Sequence, residues 1–269
     1  MPIPKLIHQT FYKKTGLHPK IEENIASLVA KNPGWTHNFY LDDDCVDFIK
    51  QHYGQEMLDT YFKINPSYGA ARSDLFRYLL IYAVGGVYLD LKSSVAASLD
   101  KLTANKEYIL SHWPSTPKGM FEDGEEPPLG EFQQWHVIAA PKHPFLEAVI
   151  DRVVKNIHDP AKSTFSGGIG VIRLTGPVPY TLAILPILNK HPHTVYRAHP
   201  FAGLVYSVMP EMRDHYFLYG NNSNRHYSRF NHPVIGDAQP TYAKNVWLDT
   251  AYAIYEQALA RKQAQGKAA

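Results

Sequence analysis

Cys45 is the only cysteine in the 269-residue chain. One thiol cannot close an internal disulfide, so the fold must be held by its core, and the composition fits a reducing compartment. An excess of charge of one sign is missing as well: 27 basic and 25 acidic residues leave a formal net charge of +2. The basic residues are not clustered, which excludes the electrostatic footprint of a nucleic-acid binder. No run of about twenty apolar residues is evident that could span a bilayer. Pro2, Pro4, Lys5 and His8 leave no continuous apolar segment for a secretory leader. A P-loop is lacking too, since Ser166-Gly167-Gly168-Ile169-Gly170 has the glycines of a phosphate cradle without the lysine and threonine. These absences describe a cytoplasmic chain, held at most peripherally at the inner face of a membrane.

What is present, 45% hydrophobic and 19% charged residues, suffices for one large α/β domain with a buried core. Residues 3–10 read as a first strand with a polar exit at His8-Gln9-Thr10, and Phe11 beyond it either stacks on a ligand or joins the core. Residues 19–31 form a helix with Ile21, Ile25, Leu28 and Val29 inward, ended by Asn32-Pro33-Gly34, and 35–41 form a second strand. Asp42-Asp43-Asp44 invites a metal-site reading, but acids before a helix are more simply an N-cap with favourable dipole charge. Short helices over 46–53 and 57–62, strands over 108–110 and 135–140, and a helix over 144–157 follow. This alternation argues for a mostly parallel sheet covered on both faces. The segment 113–134 is rich in proline, glycine and acids, and reads as an acceptor-side loop or a solvated excursion. Residues 242–262 read as an amphipathic helix with Trp247, Ala251, Ile254, Tyr255 and Leu259 inward; a weak peripheral membrane contact is its other use.

The stretch Tyr68 to Ser94 organises the rest. Ala71, Leu75 and Leu79, beside Phe76 and Leu80, mark a helix; Gly85-Gly86 stops it; Val87-Tyr88-Leu89 is a short strand with Asp90 at its tip. Asp74 and Arg77 are three apart, on a helix face with Ala70 and Ser73 roughly opposite the apolar stripe. Ligands of open α/β sheets bind beyond the carboxyl ends of strands, where Asp90 stands. Carboxylates accept from sugar hydroxyls and guanidinium clamps oxyanions, so the trio suits a sugar phosphate. The plainer alternative is a surface ion pair on an amphipathic helix.

Ala71-Arg72-Ser73-Asp74-x-x-Arg77-Tyr78, followed after an apolar stretch by Gly85-Gly86-Val87-Tyr88-Leu89-Asp90, resembles the core signature of the DXD-type sugar transferases of glycosyltransferase family 32. That group includes fungal mannosyltransferases and bacterial capsule or lipopolysaccharide enzymes, and is distantly similar to the clostridial glucosylating toxins. The resemblance implies a GT-A-like, Rossmann-related fold with a C-terminal helical extension. One domain would span 1–269: a nucleotide-sugar half (1–112), the acidic loop (113–134), an acceptor-side half (135–239) and a C-terminal helix (240–269). It also implies a retaining hexosyltransferase that uses a UDP- or GDP-hexose donor, a glycan, glycolipid or sugar acceptor, and Mn2+ or Mg2+. On this resemblance Asp74 and Arg77 hold the donor sugar and Asp90 the ribose or metal; Ser73 and Lys92 are further candidates for binding the donor. His8, Gln9 and Thr10 line the base, and a late histidine, His226 in preference to His232, meets the metal. Gln133, Gln134 and His136 are unseparated candidates near donor and acceptor, and Leu174-Thr175-Gly176-Pro177 matches a turn of the family.

One residue departs from the pattern. Lys92 stands where a second aspartate is usual, and a protonated lysine cannot ligate a metal. It could meet the diphosphate directly, at roughly 4 kcal/mol for a charge pair about 4 Å apart and an effective dielectric near 20, before desolvation; or it is simply solvated. The departure keeps a catalytically silent nucleotide-sugar-binding protein in view; a transferase acting on a protein acceptor is a further alternative. The same departure disfavours an aspartate-nucleophile phosphatase, which needs an acid at that place.

Overall fold

Short apolar runs assemble into a sheet whose two faces are both covered. The computed structural model describes residues 1–113, 120–121, 127, 130–197, 202–209 and 226–237. The strands are β1 (Leu6–Thr10), β2 (Thr36–Tyr40), β3 (Gly86–Leu89), β4 (Ser94–Val95), β5 (Tyr108–His112), β6 (His136–Ala139), β7 (Thr194–Arg197) and β8 (Leu204–Val205). The helices are α1 (Pro19–Lys31), α2 (Asp42–Lys63), α3 (Gly69–Val84), α4 (Leu99–Thr103), α5 (Pro144–His158), α6 (Gly167–Leu174) and α7 (Pro177–Ile184). The main sheet runs β2-β1-β3-β6-β5-β7, and β4 pairs with β8 in a separate ribbon. Within the main sheet β6 alone is antiparallel to its neighbours. This is the mixed, mostly parallel sheet flanked by helices that the motif implied.

Alternation along each strand divides the core. Tyr88, Leu110, Val137 and Ala139 point to one face, packed with α2, α3 and α5 side chains such as Ile49, Leu75 and Phe145. Val87, Leu89, Ile109 and Ile138 point to the other, against Leu28 of α1 and Leu99 of α4. Burial on both faces is why β3 and β6 lack polar alternation.

α3 departs from the single apolar stripe its sequence suggests. Ala71 and every residue from Asp74 to Ile81 are buried, because the helix lies between the sheet and α2, α5 and α6. Asp74 and Arg77 are therefore interior groups and not a surface pair. The expected helices over 46–53 and 57–62 are two arms of α2, which bends at Gly54 (φ 78°). The Asp42-Asp43-Asp44 triplet caps from inside the first turn: the Leu41 backbone N–H donates to Asp44 Oδ2 at 2.8 Å.

A second correction concerns apolar length. Residues 167–190 are long and apolar enough, by length and composition, to cross a membrane. Here they form α6, α7 and the turn at Leu185–Lys190, interrupted at Thr175-Gly176, and half of the apolar window is buried within the protein. The C-terminal helix expected over 242–262 lies outside the described residues.

The α3–β3 turn sets the site, and it depends on glycine. Gly85 has φ +69° and Gly86 φ +108°; a Cβ at Gly86 would stand 2.7 Å from the Leu6 carbonyl oxygen, and one at Gly85 2.7 Å from Pro141 Cδ. Gly34 shares a positive φ, +86°, with nothing within 4 Å. Urea unfolding is thus expected to show Gly86→Ala losing at least about 2 kcal/mol, from strain plus a backbone clash, and Gly34→Ala nearer 1 kcal/mol. Equal losses for the two would mean that the close approach at β1 does not constrain the turn.

Candidate functional site

The carboxyl ends of β1 and β3, the first turns of α3 and the α6–α7 junction enclose a cleft of about 530 Å3. Its floor is an ion-pair network that α3 and β3 assemble together. Arg77 Nη2 lies 3.3 Å from Asp74 Oδ1, one helical turn away, and Arg77 Nη1 lies 3.2 Å from Asp90 Oδ1 at the strand tip. Nη1 also donates to the backbone oxygen of Gln134 at 2.7 Å and to its Oε1 at 2.8 Å, while Nε donates to the Ser73 carbonyl at 3.2 Å. The guanidinium carbon sits 4.7 Å from the centre of the Tyr88 ring. A buried ion pair is tolerable only when its remaining donors and lone pairs are satisfied, and this one meets that condition.

Asp74 is satisfied from a second side. Gln134 Nε2 donates to its Oδ1 at 3.1 Å and Thr175 Oγ1 to its Oδ2 at 2.9 Å. The Thr175 turn is itself fixed, because Tyr78 Oη donates to the Thr175 carbonyl at 3.0 Å and the Tyr78 ring stacks on Tyr180. Burial pushes the Asp74 carboxyl up to about 6, against the pull of Arg77, Thr175 and Gln134. The Asp74 and Arg77 side chains are 4% and 6% exposed, whereas Asp90 is 28% exposed. Asp90 is therefore the acid the cleft presents, with Arg77 beneath it and Asp74 holding Arg77.

The other residues expected here divide clearly. Ser73, Thr10, Phe11, Lys92 and His226 all line the cleft. His8 and Gln9 are corrected to structural roles. Both nitrogens of His8 are engaged, Nε2 with the Gly85 carbonyl and Nδ1 with Tyr40 Oη, each at 3.1 Å, and burial lowers its pKa to about 4. Gln9 is fully buried, its Oε1 3.0 Å from His37 Nε2 and its Nε2 donating to the Asp90 carbonyl at 3.4 Å, so it supports the strand tip from behind. His232 is buried and tied to Ser67 Oγ at 2.7 Å, which leaves His226 as the late histidine at the cleft. Of the three unseparated candidates, Gln134 alone joins the network. Gln133 accepts from Ser111 Oγ and Trp135 Nε1, and His136 is buried in contact with Ser111.

Two residues had no assigned role beforehand. Thr175 was legible only as part of a turn motif, and Glu131 only as one acid among several in the loop. Glu131 is buried in the cleft wall, and burial raises its carboxyl to about 7 despite a hydrogen bond with Trp113.

A divalent metal does not fit the side chains found here. Such an ion asks for several oxygen ligands. Asp90 already carries the Arg77 guanidinium, the position two residues on is the ammonium of Lys92, and among the described residues no cluster of three His, Cys, Asp or Glu forms.

Comparison with known proteins agrees with the motif. Residues 19–109, from α1 into β5, match the family model described as glycosyltransferase sugar-binding region containing DXD motif. Inositol phosphoceramide mannosyltransferase 1 of Schizosaccharomyces pombe is 29% identical over 252 residues, 92% of this chain and 66% of that protein. The initiation-specific alpha-1,6-mannosyltransferase of the same organism is 26% identical over 202 residues, 70% of this chain and 49% of that protein. The chain thus spans between half and two thirds of the length of these relatives. Among solved structures, the PaToxG glycosyltransferase is similar at 19% identity and a TM-score of 0.46, covering 70% of this chain and 72% of that one.

Because the Asp74 proton is held more tightly in the folded chain than in the unfolded one, that contribution to stability is present below about pH 4 and is lost as pH rises through about 6. Asp74→Asn, which is neutral throughout, should therefore compare better with the unchanged protein at pH 8 than at pH 4 in urea unfolding. A gap independent of pH would show that Asp74 does not titrate in this range. Thr175→Val deletes one donor to the same carboxylate and should cost about 1.5–3 kcal/mol at pH 8 and less at pH 4 in the same measurement.

Proposed function

We propose that this chain, which carries the glycosyltransferase sugar-binding region containing a DXD motif, is a retaining hexosyltransferase acting from a nucleoside-diphosphate sugar. The observation that carries the reading is the convergence of Asp74, Arg77 and Asp90 in one cleft at the strand ends. In this reading Asp90, the exposed acid, accepts from ribose or sugar hydroxyls. Arg77 places a fixed positive charge beneath the point where the diphosphate gains negative charge as it leaves. Asp74 and Gln134 keep that guanidinium oriented before substrate arrives. Phe11 lies at the cleft edge beyond β1, where a nucleobase could stack.

Given the retention that the family resemblance implies, Asp74 is not the nucleophile of a double displacement. A nucleophile must be reachable and unencumbered, and this carboxylate is 4% exposed with three donors upon it. The reading is therefore a front-face step: the acceptor oxygen bonds to the anomeric carbon, the carbon–phosphate oxygen bond breaks on the same face, and the acceptor proton passes to the leaving phosphate. The relatives' names support mannose as the hexose and a glycolipid or glycan as the acceptor. Glu131, Trp113 and Tyr206, which also line the cleft, are read as its acceptor side. The lone thiol, Cys45, is buried, which suits a reducing cytoplasmic setting.

Release of nucleoside diphosphate from GDP- and UDP-hexoses tests the reading. Arg77→Lys keeps a charge but loses the fork, and should lower turnover at least about 100-fold, as the loss of an oriented donor to a developing anion does. An Arg77→Lys protein of full activity would remove Arg77 from the reaction; donor binding without product in the unchanged protein would leave a sugar-nucleotide-binding protein.

A further inference from the structure

We infer that Lys92 does the work of a divalent cation in this chain, so that the diphosphate of the donor is bound by protein cations alone. The inference rests on the nucleotide-sugar reading above and deepens it.

The argument begins with charge. Asp74 and Asp90 bring two negative charges to the cleft, and Arg77 and Lys92 two positive ones, so the four side chains sum to zero at neutral pH. With an aspartate at position 92 the same four would sum to minus two, the charge that one divalent ion cancels. The lysine therefore replaces an acid and its metal together, and leaves the net charge offered to a diphosphate unchanged. Coordination gives the same answer: Asp90 already holds the Arg77 guanidinium at 3.2 Å, and an ammonium two residues along repels a metal ion instead of ligating it.

Lys92 is also placed by structure. Its carbonyl accepts from the Val208 backbone N–H at 2.9 Å, and on its C-terminal side the Ser93 hydroxyl donates to the Tyr206 carbonyl at 2.7 Å. Buried Asn24 donates to the Ser93 carbonyl at 2.8 Å, and the Ser93 N–H donates to the Asp90 carbonyl at 2.8 Å, which fixes the step from the strand-tip acid to the lysine. At the far end of the side chain, Lys92 Nζ donates to Tyr206 Oη at 2.9 Å and lies 4.1 Å from the centre of that ring. Tyr206 follows β8, and the β4–β8 ribbon brings it to position 92. A solvated lysine has no such seat. Here Tyr206 holds the ammonium in the cleft that Asp90 and Arg77 also line, as a fixed charge for a phosphate oxygen.

Calorimetric titration of the full chain with GDP and with UDP, in EDTA and again in excess Mn2+ or Mg2+, tests this. At least one nucleotide is expected to bind with dissociation constants that agree within about threefold across these conditions. In EDTA, Lys92→Met, which keeps the stem and removes the charge, should weaken binding at least about tenfold, and Lys92→Arg should retain it. Lys92→Asp should bind in Mn2+ and fail in EDTA, a requirement the unchanged chain lacks. Thermal unfolding of each variant separates loss of binding from loss of fold. Binding by the unchanged chain that disappears in EDTA would overturn the inference and leave the nucleotide reading standing. If neither nucleotide binds under any condition, the reading fails and the inference fails with it.

Discussion

Everything at the cleft turns on one buried guanidinium. Arg77 is reached by carboxylates from two elements, Asp74 on its own helix and Asp90 on the strand that follows, and by both the backbone and the side chain of Gln134 from a third. Taking a cation out of water is costly, and the cost is offset only while all of these partners hold position. The fold supplies that constancy. α3 is buried along most of its length, β3 has no exposed residue, and the turn between them is closed by glycines pressed against Pro141 and the β1 backbone. A site whose charges are fixed in advance need not reorganise when a phosphate arrives.

The same arrangement separates tasks among acids that look alike in sequence. Asp74 is buried in the floor and answers to Thr175, Gln134 and Arg77, whereas Asp90 is more open to the cleft. Depth separates the acid that orients Arg77 from the acid that is open to the cleft. Glu131 is a third case, a carboxylate lining the same cleft whose pKa burial raises to about 7.

Much of this was legible from residues 68–94, since the relation between Asp74 and Arg77 is a helical turn and that between the helix and Asp90 is one glycine corner. Both are local, and local geometry survives tertiary context. Depth was not legible. The stripe of Ala71, Leu75 and Leu79 suggested a half-exposed helix, and only packing by α2, α5 and α6 decides that the polar face is covered as well. The exit of β1 was misread for a related reason: the cleft lies beyond the end of the strand, so Thr10 and Phe11 reach it while His8 and Gln9, one step earlier, are taken up by Gly85, Tyr40 and His37. Thr175 is 101 residues from Asp74, and no pattern in either segment announces the other.

The reversed direction of β6 has a consequence for how the two sides of the cleft are joined. In a wholly parallel sheet the segments entering strands gather at the edge opposite the ligand. Because β6 runs against β3 and β5, the segment that enters it arrives on the ligand side, and Glu131 and Gln134 arrive with it. Glu131 and the residue that grips Arg77 are thus separated by two amino acids of one connector. Lengthening, shortening or reshaping that connector also re-aims the guanidinium, so the Glu131 side of the cleft cannot change without retuning the Arg77 side.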